Sequence, residues 1–504
     1  MVVGTCVSAG TSHVLCTYLS ETLTHLYHEI DYDDMAEDES KGQKLAKELL
    51  MKPKNVGEAG PELLQKASEF CEGYKAFLCN KTEREVVDYS IPILKEHGYT
   101  EFEMGRKYGP GEKLYYNNRG KALIMMTVGK RPVADGFRLA VAHTDSPRLD
   151  FKPNPLYEDT EMAYFKTHYY GGIKKYQWTT IPLSLHGVIK KVDGTTVKVN
   201  IGEEEGDPLF CITDLLPHLA RNQMEKPAAK VIEGEQLNIL MGCWPFADEK
   251  VSEKVKLNIM SMLNEKYGIV ESDFLSAELC AVPAYKPQDY GLDRSMIGAY
   301  GQDDSVSAYA AFAAELDAKD PDFTTITVFT DKEETGSDGN TGMQSLFLKD
   351  FIEDFVSAYG LSARHVLMKS VCLSADVNAA VDPAFGEAFE RNNCSYLNRG
   401  PVVSKYTGSG GKYSTNDASA ETMGFIRTIL EKAEVPWQVG ELGRVDNGGG
   451  GTIAAYISTH NLDTVDIGVP VLSMHAPLEI TSKADVYLLY KAILAFYMSP
   501  MAKE

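Results

Sequence analysis

From about residue 300 the chain alternates two kinds of segment. SVSAYAAFAAEL, MQSLFLKDFIEDFVSAY and ETMGFIRTILEKA are helical in texture, while TTITVF, VCLSAD and TVDIGV are short apolar runs that read as strands. Strands of this kind bury both faces only when helices cover a sheet on either side, so the alternation predicts an α/β layer. Upstream, LLQKASEFCEGYKAFL and VVDYSIPILKEHG space apolar residues by three and four, which predicts two amphipathic helices between about 60 and 98. KALIMMTVG and FRLAVAHTD then predict two strands of the same buried sheet. Between 153 and 290 the texture changes to Thr/Val-rich alternation, as in LSLHGVIKKV and TTVKVNIG, broken by Gly-Gly at 171–172 and Asp-Gly at 193–194. That stretch predicts an antiparallel β insertion. The expected fold is therefore α/β: a mostly buried central sheet flanked by helices, in two parts, 35–152 and 291–504, interrupted by a β-rich insert at 153–290. Residues 1–34 carry no amphipathic pattern and are expected to be a dispensable extension, with translation starting at Met35. There is no fixed-period repeat.

Bulk properties exclude several function classes. The formal net charge of -22 repels nucleic acid and anionic membranes, and no polybasic stretch relieves it. Nine cysteines are scattered without a C-x-x-C pair, which fits a reducing compartment. No apolar run approaches the ~18 residues that span a bilayer, and a cytoplasmic location is expected.

Five short segments place acidic or imidazole groups at the ends of expected strands, where open α/β sheets build their sites: AHTDSP (142–147), YGQDDSVS (300–307), DKEETGS (331–337), SAD (374–376) and SMHAPLE (473–479). Of eleven histidines, only His143 and His475 sit in such contexts among small residues. Asp303, Glu334 and Asp376 supply carboxylates in the same kind of place. Two imidazoles and three carboxylates without cysteine suit a pair of divalent ions, with Zn²⁺ favoured and Mn²⁺ or Co²⁺ as substitutes. Asp145, two residues from His143, lies on the same face of an extended segment and is placed to orient its imidazole. Glu333 and Glu334 are adjacent, and neighbours on an extended segment point to opposite sides, so they are expected to do different work. From residue types alone the reading stops at a metal hydrolase. A retaining glycosidase is disfavoured, because its two carboxylates must face a sugar from opposite sides.

In the order and spacing of these five segments the chain resembles the aspartyl aminopeptidase family of two-metal aminopeptidases, closest to its bacterial branch, over roughly 55 to 497. The resemblance implies that His143, Asp303 and Asp376 hold one ion and that Asp303, Glu334 and His475 hold the other, with Asp303 shared. It implies that Asp145 supports His143 and that Glu333 is the general base in hydrolysis of the N-terminal residue from peptides. A two-metal carboxypeptidase or deacylase is the alternative, and a non-catalytic peptidase-like scaffold a further one. The resemblance also implies that the insert mediates dimerisation within a larger assembly, a dodecamer by analogy. His168 and His186 read as structural, whereas His218, in LPHLARNQ, resembles a functional histidine of the family that reaches a neighbouring subunit's site. Lys412, Arg444 and Lys175 are the candidate cations for an acidic substrate side chain. Against them, Asp382 stands where animal members have a histidine, so a neutral or broad N-terminal preference is expected. The run NGGGGT at 447–452 lacks the Lys-Ser/Thr of a phosphate cradle and reads as a turn or close backbone approach.

Overall fold

The computed structural model describes residues 40–52 and 55–503. The expected extension at 1–34 and the start at Met35 lie outside the described residues. Residues up to Pro53 form a unit of their own, whose described part is the helix Lys41–Leu49, closed at its start by a Ser40/Gln43 capping box.

In the unit from Lys54 onward, nine strands form the central sheet. Its middle is four parallel strands in the order Thr324–Thr330, Phe137–His143, Val371–Ala375 and Asp463–Gly468. Antiparallel neighbours flank them, Ala122–Thr127 on one side and Val402–Ser404 on the other. The side chains of Phe137–His143 show why the sheet is covered on both faces. Phe137, Leu139 and Val141 enter one apolar cluster with the helix Phe347–Ser357, while Ala140 and Ala142 enter another with the helices Pro61–Leu78, Gln302–Asp317 and Lys483–Met498. Every residue of that strand and of Thr324–Thr330 is buried, as the apolar runs predict.

The residues between Arg148 and Pro283 build a second, wholly antiparallel sheet of six strands around its own apolar cluster. Its hairpin Leu183–Lys190/Thr196–Ile201 turns at Asp193-Gly194, where the sequence marks a turn. The helix Lys254–Tyr267 in this stretch is an addition that the Thr/Val texture elsewhere does not announce. A third sheet also has no warning in the sequence: five short strands, among them Asn378–Ala379, Pro470–Leu472 and Glu479–Ser482, run beside the site. Among the described residues no helix is long and apolar enough to cross a membrane.

Candidate metal centre

The four parallel strands deliver their C-terminal ends to one edge of the sheet. His143 closes its strand, Asp376 follows Val371–Ala375, and the turn holding Glu333 and Glu334 follows Thr324–Thr330. Asp303 lies at the start of Gln302–Asp317, and His475 lies between two strands of the third sheet. Residues more than 300 positions apart in the chain thereby meet at the place where open α/β sheets form crevices.

All five expected ligands converge. Ligand-capable atoms of Asp303, Glu334 and His475 lie within 4.8 Å of one another, as do those of His143, Asp376 and Asp304. Asp303 faces both imidazoles, with Oδ1 3.4 Å from His143 Nε2 and Oδ2 3.1 Å from His475 Nε2. Glu334 Oε2 is 3.6 Å from the same His475 nitrogen. His475 Nδ1 is fixed by the Gly172 carbonyl at 2.9 Å, and His143 Nδ1 by the Asp145 carbonyl at 2.9 Å. The second contact departs from expectation, because the Asp145 carboxylate is farther from His143, at 3.5 Å. That carboxylate instead accepts from the Glu333 N–H at 3.1 Å, the Glu334 N–H at 3.2 Å and the Tyr170 hydroxyl at 2.7 Å. Asp145 therefore ties the His143 segment to the glutamate turn.

That turn is not extended, which corrects the geometry read from the sequence. Glu333–Thr335 is a 3₁₀ turn bracketed by Lys332 (φ 69°) and Gly336 (φ 95°) in the left-handed region. Two backbone donors to Asp145 and a tight turn outcompete the strand continuation, and the two carboxylates diverge by helical rotation instead of alternation. The Glu333 carboxylate makes no hydrogen bond or ion pair among the described residues. The insert reaches the site through Gly171 and Gly172: a Cβ at Gly171, whose φ is 78°, would lie 3.1 Å from Glu334 Oε2, and one at Gly172 3.3 Å from His475 Nδ1. Side chains there would crowd the ligands.

Two carboxylates that escaped notice in the sequence complete the site. Glu479 accepts from the His475 N–H at 2.7 Å and the Asp303 N–H at 3.0 Å, so it holds both ligand backbones at once. Asp304 accepts from the His143 N–H at 3.3 Å through Oδ2. Asp304 adjoins the ligand Asp303 and Glu479 lies four residues after His475, and that proximity in sequence was the only signal they carried.

The charges of this cluster call for a cation. Burial first, then the charge of neighbouring carboxylates, holds the Glu334 and Asp376 carboxyls well above their ordinary range. Burial, opposed by His143 and reinforced by Asp145 and Asp303, pushes Glu333 up to about 7. Glu334 Oε1 and Asp304 Oδ1 are buried without a hydrogen-bond partner. Uncompensated carboxylate oxygens converging with two oriented imidazoles are the donor set of a hard or borderline divalent ion, and a zinc ion fits these residues.

The remaining candidates lie apart. Lys412 and Arg444 line a separate small cavity of about 50 Å³ with Gly448 and Gly449 of the glycine run. Lys412 is paired with Asp417 at 2.9 Å and stacked 3.6 Å above Tyr406, and Arg444 Nε donates to the Phe389 carbonyl. Neither reaches the cluster by hydrogen bond or ion pair. A Cβ at Gly449 would collide with the Gly408 carbonyl, so this run is the close backbone approach expected of it. Lys175 sits 5.5 Å from the Tyr169 ring. His218 is exposed in a turn and makes no side-chain hydrogen bond among the described residues, and Asp382 caps the turn Pro383–Ala388 by accepting from the Ala384 N–H.

A buried set of imidazoles and carboxylates at the switch point of an α/β sheet defines a metal-dependent hydrolase. The sequence profile of the family described as aminopeptidase I zinc metalloprotease (M18) matches residues 77–497. A probable M18 family aminopeptidase 1 from Clostridium acetobutylicum is 52% identical over 423 residues, 82% of this chain and 91% of that protein. The crystal structure of an M18 aminopeptidase from Thermotoga maritima superposes with a TM-score of 0.85 at 43% identity, covering 89% of this chain and 99% of that one. The S. cerevisiae mApe1 dodecamer superposes at 0.69 with 21% identity, covering 87% and 97% of the two chains, a likeness of fold alone. The chain belongs to the M18 family of zinc aminopeptidases, and it is a metal-dependent aminopeptidase.

Proposed function

We propose that the cluster holds two divalent ions, zinc first among them, and that Glu333 is the base. The observation that carries this reading is Asp303, whose two oxygens face different imidazoles. A carboxylate placed so divides the cluster into two half-sites that share it: His143 and Asp376 on one side, Glu334 and His475 on the other. Asp304, already engaged with the His143 N–H, positions that ligand. When bound, zinc supplies the positive charge that polarises a peptide carbonyl and acidifies the attacking water. Glu333, free of partners, takes the proton from the water oxygen and delivers it to the amine nitrogen of the leaving peptide as the C–N bond breaks. Asp145 keeps this division of labour in place, because it anchors the backbone N–H of both glutamates. Chelation should abolish release of N-terminal residues, and added Zn²⁺, Mn²⁺ or Co²⁺ should restore it; activity that survives exhaustive chelation would refute the reading.

The substrates are peptides in the cytoplasm with neutral or varied N-terminal residues. Lys412 is neutralised by Asp417 and Arg444 is directed at a backbone carbonyl, so neither offers an uncommitted cation to an acidic side chain. In a matched panel of aspartyl, glutamyl, leucyl and methionyl substrates, kcat/KM should not favour the acidic pair by about tenfold, a difference of about 1.4 kcal/mol in transition-state binding. Self-association through the 153–290 insert completes the proposal, with a dodecamer as the assembly by analogy with the yeast relative.

A further inference from the structure

A cavity of about 200 Å³, lined by none of the ligand residues, lies where the first turn of Glu83–Glu96 meets the strands Arg148–Asp159 and Ala277–Pro283. Four cations line it, Arg84, Lys121, Arg148 and Lys332, against three carboxylates, Glu83, Asp150 and Glu278. Three of the cations are satisfied. Arg84 Nε and Lys121 Nζ share Glu278, each at 2.9 Å, and Arg148 donates to Glu83 at 3.1 Å and to Asp150 at 2.7 Å. The Lys332 ammonium has no hydrogen bond or ion pair among the described residues. Glu83 and Asp150 each spend one oxygen on Arg148 and keep the other, Oε1 and Oδ2, without a hydrogen bond. Phe151 and Leu279 add apolar wall.

An open cation and open carboxylate oxygens in one small cavity suit a ligand that carries both charges. The four cations outnumber the three carboxylates, so the ligand brings an anionic group to Lys332, and the open oxygens of Glu83 and Asp150 call for a cationic donor beside it. The reaction releases a free amino acid, a zwitterion that carries both charges. Two connections run from the cavity to the site. Lys332 is bonded to Glu333, and the Arg148 guanidinium lies 4.2 Å from the ring of Tyr170, whose hydroxyl donates to Asp145.

We propose that this cavity binds a free α-amino acid, its carboxylate on Lys332 and its ammonium on Asp150, the more exposed of the two open carboxylates, and that occupancy slows turnover by drawing the Lys332–Gly336 turn away from the cluster. The binding stands on the cavity alone, whereas the slowing rests on the role proposed for Glu333. Crystals of the metal-loaded full chain soaked in L-selenomethionine read the two apart, since selenium at the ligand cluster and in the cavity gives separate anomalous peaks. A cavity peak is expected, and it should vanish in Lys332→Ala and, as a second variant, in Asp150→Asn. In solution, added methionine should lower kcat roughly fivefold, within ordinary coupling between sites, besides raising KM by competition. Lys332→Ala should abolish the effect on kcat and keep the competition. The proposal fails if saturating selenomethionine leaves the cavity empty, if the peak persists in either variant, or if acetate or phosphate lowers kcat equally. An enzyme that released no N-terminal residue would refute the aminopeptidase mechanism and still leave the selenium density to decide the cavity.

Discussion

A single carboxylate, Asp145, carries more of the site than its place outside the two ligand groups suggests. It accepts from two consecutive backbone N–H groups and a tyrosine, and it is fully buried. Glu479 likewise accepts from two ligand backbones, those of His475 and the shared Asp303. Such acceptors fix ligand backbones, and their loss typically costs about 10–100-fold in metal affinity. Glu479→Gln, which keeps one acceptor oxygen and turns the other into a donor, should therefore lose zinc by about that factor in competition with a chelating dye. Glu333→Gln should behave oppositely: metal content unchanged by elemental analysis, kcat down by about 10²–10⁴-fold, the range for a lost general base. The contrast separates positioning from proton transfer. His143, Asp303, Glu334, Asp376 and His475 were legible in the sequence because each sits at the end of an apolar run, and the covered sheet brings such ends to one edge. Glu479, Asp304 and Tyr170 were not, because what marks them is a hydrogen bond across the fold, and no local pattern encodes that. The substrate cations misled for a related reason: Lys412 looks free in a sequence and is paired with Asp417 in the folded chain.

The elements that were legible are those whose period is enforced by burial. The helices Pro61–Leu78 and Glu83–Glu96 and the four parallel strands follow their apolar spacing closely. The helix expected across MQSLFLKDFIEDFVSAY begins later, at Phe347, because Gly342 packs directly on the backbone of Ser337 and Asp338 and holds the preceding residues in turns. Strands of two to four residues in the third sheet are too short to show any period. Between elements, one buried junction is testable. His186, on the strand Leu183–Lys190, is held between Glu85 at 2.8 Å and Glu203 at 3.1 Å, and Lys81 pairs with Glu203 at 2.7 Å. Burial presses the His186 imidazole towards neutrality, but the hydrogen bonds to Glu203 and Glu85 outweigh it and raise the pKa above the ordinary 6.5. Burial likewise opposes ionisation of Glu203, yet His186 and Lys81 hold it down at about 2. The raised imidazole stabilises fully below 6.5 and loses that contribution as pH rises through its folded value, while the lowered carboxyl stabilises above its ordinary 4.5 and loses that as pH falls towards about 2. The junction is therefore strongest between 4.5 and 6.5. Thermal melts across pH 5–9 should show a decline on the alkaline side that flattens in His186→Gln; an unchanged slope would mean that the junction does not titrate.

At the scale of the whole molecule, the part built from Arg148 to Pro283 has its own apolar cluster, yet it leaves large apolar side chains in solvent. Leu216, Leu219 and Trp244 are 50%, 68% and 80% exposed, with Leu215 and Phe246 nearby in sequence. Single exposed leucines are ordinary, but several large apolar side chains exposed within one stretch mark surfaces that proteins cover with a partner. A chain with formal net charge -22 meets repulsion when it meets its own copy, so the cover has to be apolar enough to overcome that field. Much of such surface among the described residues lies in this stretch, and it touches the cluster through Gly171 and Gly172, so an assembly formed on it would be joined to the site by two residues. Multi-angle light scattering at micromolar concentration should give a multiple of the monomer mass. Trp244→Ala, the truncation of an aromatic anchor, should weaken that association by about 30-fold or more, equivalent to about 2 kcal/mol, and Leu219→Asp should do so by placing a charge in the contact. His218 lies within the same exposed stretch and its side chain makes no hydrogen bond or ion pair among the described residues. If it serves a neighbouring subunit, inactive His218→Ala and inactive Glu333→Gln chains mixed in one assembly should regain part of the lost activity, because each supplies what the other lacks. Mixed assemblies with no recovered activity, in a preparation whose oligomer is intact by light scattering, would confine His218 to the surface of its own chain.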